Sequence, residues 1–225
     1  MYPSAHSFAE GFLSKLMKRP GVKYDFSPPC QDRETMVYWG QRKGGLVMTI
    51  LRKYSHVLVL GRGGFGAELG EMLEDCGWGT PLFLDDKAPD CAGTLRDYVD
   101  PVLRRRCQAA FVALGNSELR LELIRKLTAV GYQLPVFRHP AAVVSPSARL
   151  GQGTVVLPFA FVGANVRAGV GCLINAGAIV DHDAALEDGV HVAPGGIVKA
   201  GAAVPAGTKV DSGQVVRSPW EQAAR

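Results

Sequence analysis

From Val144 to Val216 every sixth residue is aliphatic, and this register never slips. A second series of mostly small residues lies two positions earlier, as in the pair Ala178 and Val180. Residues two apart in a strand share a face, so each pair points inward, and the period of six requires a turn after every short strand. Hexapeptide repeats of this kind are typical of a parallel β-helix, in which about three repeats form one triangular coil. The pattern predicts a stacked interior column, Val144, Val162, Val180, Val198 and Val216.

A helical interpretation of this stretch fails, because an apolar helix face needs spacings of three and four and the glycines and prolines here would break it. The repeat advances about four coils, which at a strand spacing of ~4.8 Å gives a prism on the order of 20 Å tall. So short a rod has exposed ends, and stacked repeats need caps and neighbours. We therefore predict a homotrimer that packs through flat prism faces, with Pro219 and Trp220 at the open end.

Composition excludes several classes of protein. The chain of 225 residues has room for two modest domains, and its 47% hydrophobic and 20% charged residues are typical of a globular protein. No apolar run reaches the ~18 residues that cross a membrane. The net charge of +4 is small, so we interpret the basic cluster Arg104–Arg106 as a solvated helix face and not as a nucleic-acid site. The cysteines are scattered, without a Cys-x-x-Cys pair, so we expect no disulfide framework and a reducing cytoplasm.

The first 47 residues are expected to be a poorly ordered leader, consistent with an extension from an upstream translation start. They carry no clear strand up to about Val47 and one short amphipathic piece, Phe8–Lys18, which lacks the apolar centre of a signal peptide. Further along, Pro135 and Pro140 bracket the entry into the repeats. This short linker would hold two domains in a fixed relation.

The domain before the repeats begins with a strand, a glycine turn and a helix. Val57–Leu60 is a buried strand pattern, and a helical pattern later ends near Gly77. Glycines let a backbone turn tightly and approach a phosphate, whose charge is stabilised by free N–H groups at the helix start. The alternative, a tight turn in a small α/β domain without a ligand, stays open. The turn carries Gly61, Gly63, Gly64 and Gly66.

Polar residues follow two more strands of this domain. Asp85 and Asp86 end the strand Leu82–Leu84, where a carboxylate can hydrogen-bond a ribose or a base. Gly115 and Asn116 occupy the matching exit of a later strand. Open α/β sheets bind ligands at the carboxyl ends of their strands. These residues are therefore candidates for a nucleotide site together with the glycine turn.

That later strand is expected over Ala109–Leu114. A helix should follow, with its N-cap at Ser117 and its end at Gly131, since serine and glycine favour these two positions. Gln133–Phe137 is expected to be the last short strand before the repeats.

Two histidines lie within the repeats at positions that point outward. His182 stands between Asp181 and Asp183, and Asn175 precedes it by seven residues, while His191 follows it by nine. An imidazole is the side chain best suited to take a proton near neutral pH, and a neighbouring acid could orient it. Because adjacent residues of a strand point oppositely, Asp183 can reach His182 only if the chain bends. Two histidines do not make a three-histidine zinc site, so we expect no metal.

The chain resembles the bacterial sugar acetyltransferases that join a small nucleotide-binding α/β domain to a left-handed β-helix, including sialic acid O-acetyltransferases and UDP-bacillosamine and GDP-perosamine N-acetyltransferases. The resemblance covers roughly residues 54–204. It rests most specifically on the run Asn175–Asp183, followed by His191–Gly195, and also on the glycine turn and on His139-Pro140. It implies a Rossmann-like nucleotide-sugar-binding domain over residues 48–138 and a β-helix acyltransferase domain over residues 139–225.

The resemblance also implies a role for each candidate residue. His182 would be the general base that deprotonates the sugar amine or hydroxyl, and Asp183 would assist it. The α/β domain would hold the nucleotide through its glycine turn and through the residues at the strand exits. Acetyl-CoA would be the co-substrate, lying by Asn175, His191, Ala200 and Gly201 at a subunit junction.

One departure from the family leaves alternatives open. Members usually have several further coils after the second histidine, which add surface for the pantetheine arm, whereas this sequence has few residues after Val216. A trimeric nucleotide-sugar-binding scaffold without activity is the second hypothesis. A nicotinamide-dependent oxidoreductase that uses the glycine turn is the third, although the histidines of the repeats would not serve it.

Overall fold

The computed structural model describes the backbone of residues 37–42, 45–50 and 53–223, and the side chains of residues 53–221. Strands β1 (Val37–Arg42) and β2 (Gly45–Ile50) pair antiparallel. Our expectation of no strand before Val47 is therefore wrong, because β-branched and aromatic residues in this stretch favour strands. The expected helical piece Phe8–Lys18 lies outside the described residues.

An α/β unit with a three-stranded parallel sheet follows. The strands lie in the order β4-β3-β5, so the first strand of the unit is central. The alternation of strands and helices predicted from the sequence is confirmed. The elements are β3 (His56–Leu60), α1 (Gly64–Asp75), β4 (Thr80–Leu84), a 3-10 turn (Asp97–Val99), α2 (Pro101–Arg106), β5 (Cys107–Val112) and α3 (Ser117–Ala129).

From Phe137 to Val216 the chain forms a triangular parallel β-helix of two-residue strands. Each strand pairs with the strand three places later in the chain, so three sheets form the faces of a prism. The predicted period of six is confirmed throughout. The strands are β6 (Phe137–Arg138), β7 (Val143–Val144), β8 (Arg149–Leu150), β9 (Val155–Val156), β10 (Phe161–Val162), β11 (Arg167–Ala168), β12 (Leu173–Ile174), β13 (Ile179–Val180), β14 (Ala185–Leu186), β15 (His191–Val192), β16 (Ile197–Val198), β17 (Ala203–Val204), β18 (Lys209–Val210) and β19 (Val215–Val216).

We name the three faces by their strands. The first face contains β7, β10, β13, β16 and β19; the second contains β8, β11, β14 and β17; the third contains β6, β9, β12, β15 and β18. Parallel pairing sets Val162 beside Val144 and Val180, and Val198 beside Val180 and Val216, so the predicted interior column is confirmed. From β7 to β19 the second residue of each strand, with most of the residues two places earlier, forms the core of the prism.

The α/β unit docks on the third face of the prism. Val155 and Leu173, which point outward from this face, share a buried core with Val59 and Phe111 of the sheet and with Trp78. The outward residues of β9 and β12 are therefore buried on this face, while Phe161 and Ile179, the outward residues of β10 and β13 on the first face, are exposed. The two units therefore share one buried core.

Helix α3 lies along the corner between the second and third faces. The corner residues at one-coil intervals are glycines with positive φ. An added Cβ at Gly171 would lie 2.6 Å from Ile124, and one at Gly189 would lie 2.8 Å from Leu121. Glycine thus provides both the left-handed turn and the close approach of the helix.

Two local expectations in the linking region are wrong. The N-cap of α3 is Asn116, whose side chain accepts from the Leu119 N–H at 2.9 Å, whereas the Ser117 hydroxyl donates to the Gly207 carbonyl of the prism. Gln133 makes only an isolated bridge to the sheet of the α/β unit. Phe137 pairs instead with Val155 and belongs to the β-helix, because its aromatic ring joins the core between the two units.

In the described part of the chain, no helix combines the length and the apolar character required to cross a membrane.

Candidate active site

His182 lies in the middle of the turn that follows β13, between the first and second faces, and we call residues 181–183 the His182 corner. Asp183 adopts a left-handed φ of 59°. This bend returns its carboxylate to the imidazole, with Asp183 Oδ2 2.8 Å from His182 Nδ1. The backbone N–H of His182 donates to Asp181 Oδ1 at 2.7 Å. The bend on which this contact depends is therefore present, and the His182 side chain is 57% exposed.

The surroundings of His182 suit a base that acts near neutral pH. The hydrogen bond to Asp183 raises the pKa of His182 above 6.5, against a smaller lowering by desolvation, and Asp181 adds to the rise. A carboxylate beside Nδ1 favours the neutral tautomer with its proton on Nδ1. The lone pair then lies on Nε2, which can accept a proton from a bound alcohol or amine.

The coils on either side of the His182 corner fit it closely. In the preceding coil, an added Cβ at Gly163 would lie 2.6 Å from the His182 nitrogen, so glycine is needed there. In the following coil, Ala200 and Gly201 stack on the corner, and the Gly201 N–H donates to the His182 carbonyl at 3.0 Å. Two of the predicted acetyl-CoA residues therefore lie directly beside the predicted base.

The final helix α4 (Pro219–Ala223) reaches the same corner. The indole of Trp220 was expected at the open end of the prism. It contacts Gly201, where an added Cβ would lie 2.8 Å from the ring. Lys199 and Glu221 form an ion pair of 2.6 Å that fastens the helix beside the corner.

Asn175 and His191 form a second polar pair, at the junction of the third and first faces. Asn175 Nδ2 lies 3.4 Å from His191 Nε2, and Asn175 Oδ1 accepts from the Ala176 N–H at 2.7 Å. Burial first, and then the charges of Arg120 and Lys209, lower the pKa of His191 to about 4. His191 is therefore neutral at neutral pH, and its Nδ1 is buried without a hydrogen-bond partner among the described residues.

The two polar groups lie at different corners of one chain. Asn175 directly follows β12 of the third face, and His182 directly follows β13 of the first face. The whole first face separates them. Within a single chain, the structure brings Ala200 and Gly201 to His182 and brings His191 to Asn175, but it does not unite the two groups.

The glycine turn after β3 is built as the sequence predicts. Gly61 has φ of 98°, and an added Cβ at Gly66 would lie 2.0 Å from the Gly61 carbonyl oxygen, so neither position accepts a larger residue. An added Cβ at Gly63 or Gly64 would meet nothing within 4 Å. The turn therefore leaves open space at the N-terminus of α1, which is a favourable place for an anion.

The predicted acidic residues lie beside this turn but already have partners. Asp85 Oδ2 accepts from the Arg62 N–H at 2.7 Å, and its Oδ1 accepts from the N–H groups of Lys87 and Ala88. These three bonds, that from Arg62 first, lower the pKa of Asp85. Asp86 Oδ1 accepts from the Leu95 N–H at 2.9 Å. Both carboxylates thus stabilise the loop around the turn.

The third exit carries Gly115 and Asn116, and an added Cβ at Gly115 would also meet nothing within 4 Å. Parallel strands place all three exits at one edge of the sheet, so the predicted nucleotide-binding residues are gathered there. Asn116 uses its side-chain oxygen as the N-cap of α3, which leaves its amide NH2 for other contacts.

Sequence reasoning missed Arg120, the largest fully buried side chain of the described residues. Its Nε donates to the Gly171 carbonyl at 2.8 Å and its Nη2 to the Gly189 carbonyl at 2.6 Å. Its Nη1 donates to the Leu114 carbonyl at 2.6 Å. Arg120 therefore joins two coils of the prism to the exit of β5. An arginine on a helix is ordinarily solvated, so the pattern carried no signal for this role.

Across residues 53–221, no three His, Cys, Asp or Glu side chains lie together in a way that could hold a metal ion.

No family model matches the chain, whereas solved structures do. The acetyltransferase domain of PglB from Neisseria gonorrhoeae FA1090 is 31% identical, over 73% of this chain and 92% of that domain, with a TM-score of 0.62. The same domain in complex with acetyl coenzyme A is 32% identical, over 71% and 86%, with a TM-score of 0.60. PerB from Caulobacter crescentus, in complex with CoA and GDP-perosamine, is 28% identical, over 69% and 91%, with a TM-score of 0.53.

The β-helix, the docked α/β unit and this similarity define the class of protein. The chain belongs to the nucleotide-sugar acetyltransferases built on a hexapeptide-repeat β-helix.

Proposed function

We propose that the protein transfers the acetyl group of acetyl-CoA to the amine or hydroxyl of a nucleotide-linked sugar, with His182 as general base and Asp183 as the acid that orients it. The observation that carries the proposal is the contact of 2.8 Å between His182 Nδ1 and the Asp183 carboxylate at an exposed corner. A base with this tautomer and a raised pKa matches what acyl transfer requires.

In this mechanism His182 Nε2 takes the proton from the sugar nitrogen or oxygen as that atom forms a bond to the thioester carbonyl carbon. The carbonyl electron pair moves onto oxygen and forms a tetrahedral intermediate. Return of that pair expels the coenzyme A thiolate, which takes the proton from the imidazolium. Hydrogen-bond donors near the oxyanion lower the barrier, and no covalent enzyme intermediate is required.

We propose that acetyl-CoA lies by Asn175, His191, Ala200 and Gly201. Ala200 and Gly201 stack beside His182, and neutral His191 with Asn175 offers a polar pair that carries no charge at neutral pH. The solved Neisseria domain binds acetyl coenzyme A, and this chain covers 86% of it. That coverage favours an active enzyme over the scaffold hypothesis.

Assembly as a homotrimer would complete the site. The first face carries an outward apolar column of five residues, in which Ile197 is half-buried and four are 40% to 61% exposed, Val143, Phe161, Ile179 and Val215. In a ring of three chains whose first faces point inward, one edge of this face meets the other edge of the next chain. The Asn175 pair of one chain would then approach the His182 corner of its neighbour, where acetyl transfer would take place.

We further propose that residues 48–138 form a Rossmann-like domain for the nucleotide and residues 139–225 the acyltransferase domain. Open space at Gly63 and Gly64 suits a phosphate at the N-terminus of α1. The loops held by Asp85 and Asp86 border this space, and the amide of Asn116 and the open position at Gly115 lie at the same edge of the sheet.

The test is a thiol-release assay with acetyl-CoA and a panel of nucleotide sugars, in the wild type and in a His182→Ala variant. The variant is expected to lose transfer while light scattering reports an unchanged assembly. A His56→Ala variant, changed at the end of β3 that lies away from the glycine turn, should retain activity. Near-normal turnover by His182→Ala would refute the assignment of the base. A wild type that binds nucleotide sugar but neither binds nor cleaves acetyl-CoA would establish the scaffold instead.

A further inference from the structure

Two residues in an unusual backbone conformation stack at the His182 corner. Asn165 has φ of 60° and Asp183 has φ of 59°, and they lie one coil apart. Gly201, the matching residue of the next coil, has φ of 66°, and glycine fills most left-handed corner positions of the prism. A left-handed conformation is unfavourable for a residue with a side chain, though less so for asparagine and aspartate. Non-glycine residues here therefore point to a use for their side chains.

The side chains of these residues form a continuous chain of hydrogen bonds that ends at the imidazole. Asn165 Nδ2 donates to Asp183 Oδ1 at 3.0 Å, and Asp183 Oδ2 lies 2.8 Å from His182 Nδ1. The amide must present its NH2 to Asp183, because its oxygen would face a carboxylate oxygen. The Asn165 backbone N–H in turn donates to Ser147 Oγ at 3.0 Å. Each oxygen of Asp183 thus has one partner.

We infer that Asn165 is a positioning residue for the general base: its amide fixes the rotamer of Asp183, and Asp183 thereby holds His182 with its proton on Nδ1 and its lone pair on Nε2. This inference rests on the proposed function of His182 and adds a residue to it. A carboxylate with one free oxygen could rotate about its terminal bond, whereas one held at both oxygens cannot do so without losing a bond.

The charged groups around His182 are few. Asp181 and Asp183 belong to its own corner, and the corner of the preceding coil, residues 163–165, contributes no charge. Lys199 in the corner of the following coil is paired with Glu221. The bonds from His182 and then from Asn165 hold the pKa of Asp183 below its ordinary value. Loss of the Asn165 amide frees one oxygen of Asp183, so the carboxylate can turn away from Nδ1, and the hydrogen bond that raises the pKa of His182 weakens.

The test is Asn165→Gly, because glycine accepts the left-handed turn and removes only the side chain. The unfolding midpoint should stay constant or rise. In titrations of 15N-labelled histidine followed by NMR, the pKa of His182 should move toward 6.5 and the fraction of the Nδ1–H tautomer should fall. The kcat should fall roughly tenfold, as expected for a misplaced catalytic group, with the acid limb of the pH profile moving along with the pKa.

Two controls separate positioning from packing. Phe159→Gly makes the same replacement at another left-handed corner, with φ of 61°, and should leave the pKa and tautomer of His182 unchanged. In an Asp183→Asn background, Asn165→Gly should have no further effect on either. An unchanged pKa and tautomer of His182 in Asn165→Gly would overturn the inference. The NMR readout needs no turnover, so an inactive wild type would count against the proposed function and not against this positioning role.

Discussion

Replacement of Arg120 by methionine tests the connection between the α/β unit and the β-helix. The guanidinium is buried and makes its three shortest hydrogen bonds to the carbonyl oxygens of Leu114, Gly171 and Gly189, with a longer one of 3.3 Å to the Gly115 carbonyl. Methionine has a similar length and no donor. The variant therefore keeps most of the packing and leaves the three carbonyls without their donor.

The magnitude follows from two opposing effects. A buried carbonyl that loses its donor costs about 1–3 kcal/mol, so three carbonyls cost about 6 kcal/mol. Burial lowers the pKa of Arg120 from 12.5 to about 10, so keeping the guanidinium charged costs on the order of 3 kcal/mol, which methionine avoids. The expected net loss is about 3 kcal/mol, a decrease in Tm of roughly 6–12 °C for a protein of this size.

Urea and thermal unfolding should be followed by circular dichroism and by tryptophan fluorescence, since Trp78 lies in the core shared by the two units. Protein concentration must be held fixed, because assembly contributes to apparent stability. The matched control is Arg125→Met, the same replacement at an exposed position of the same helix, which should change stability by about 0.5 kcal/mol or less. If Arg120→Met and Arg125→Met are equally stable, the three buried bonds do not support the fold as described.

Three further outcomes are expected. The pKa of His191 is about 4, below the 6.5 of an unfolded histidine, so the contribution of His191 to the free energy of unfolding, measured by urea titration, should be constant above pH 6.5 and fall by roughly 1–2 kcal/mol as pH falls from 6.5 to 4; a His191→Gln variant should lack this loss. Ile179→Arg puts a charge in the apolar column of the first face and should yield monomers in light scattering, while a trimeric variant would contradict the proposed assembly. Asp183→Asn removes the carboxylate that raises the pKa of His182. The acid limb of the kcat/KM profile, with a midpoint above pH 6.5 in the wild type, should therefore move to lower pH. An unmoved limb would show that Asp183 does not act on His182.

The β-helix could be predicted from the sequence because its period is set by the backbone. Each two-residue strand must pair with one a coil away, and a single slipped residue would turn an aliphatic side chain outward. The spacing of Val180 from Val162 and Val198 therefore predicts that its side chain lies in the core. The strand exits at Gly61, Asp85 and Asn116 could be located for the same reason, since strands and helices of the α/β unit alternate in a fixed way.

Contacts between distant segments could not be predicted in this way. In the sequence, Arg120 cannot be distinguished from a solvated helix residue. Its burial depends on the fold, which places the corners at Gly171 and Gly189 against it. The sequence predicts Phe137 at the end of a strand of the α/β unit. In the structure it pairs with Val155 of the prism, and its ring packs in the aromatic core between the two units. Asn165 is one polar residue at a turn, and its bond to Asp183 depends on a coil that returns 18 residues later.

The placement of the polar groups links activity to assembly. Asn175 and His182 lie at the two edges of the first face, and the residues between them include Ile179 of the exposed apolar column. An isolated chain therefore leaves apolar surface in water and keeps the predicted acetyl-CoA residues apart from one another. The proposed threefold ring would remove both defects with one contact, because it would cover the column and bring the opposite edges of neighbouring chains together. In this arrangement the apolar column and the site at His182 depend on the same contact, so dissociation of the proposed trimer should abolish transfer even when His182 and Asp183 remain intact.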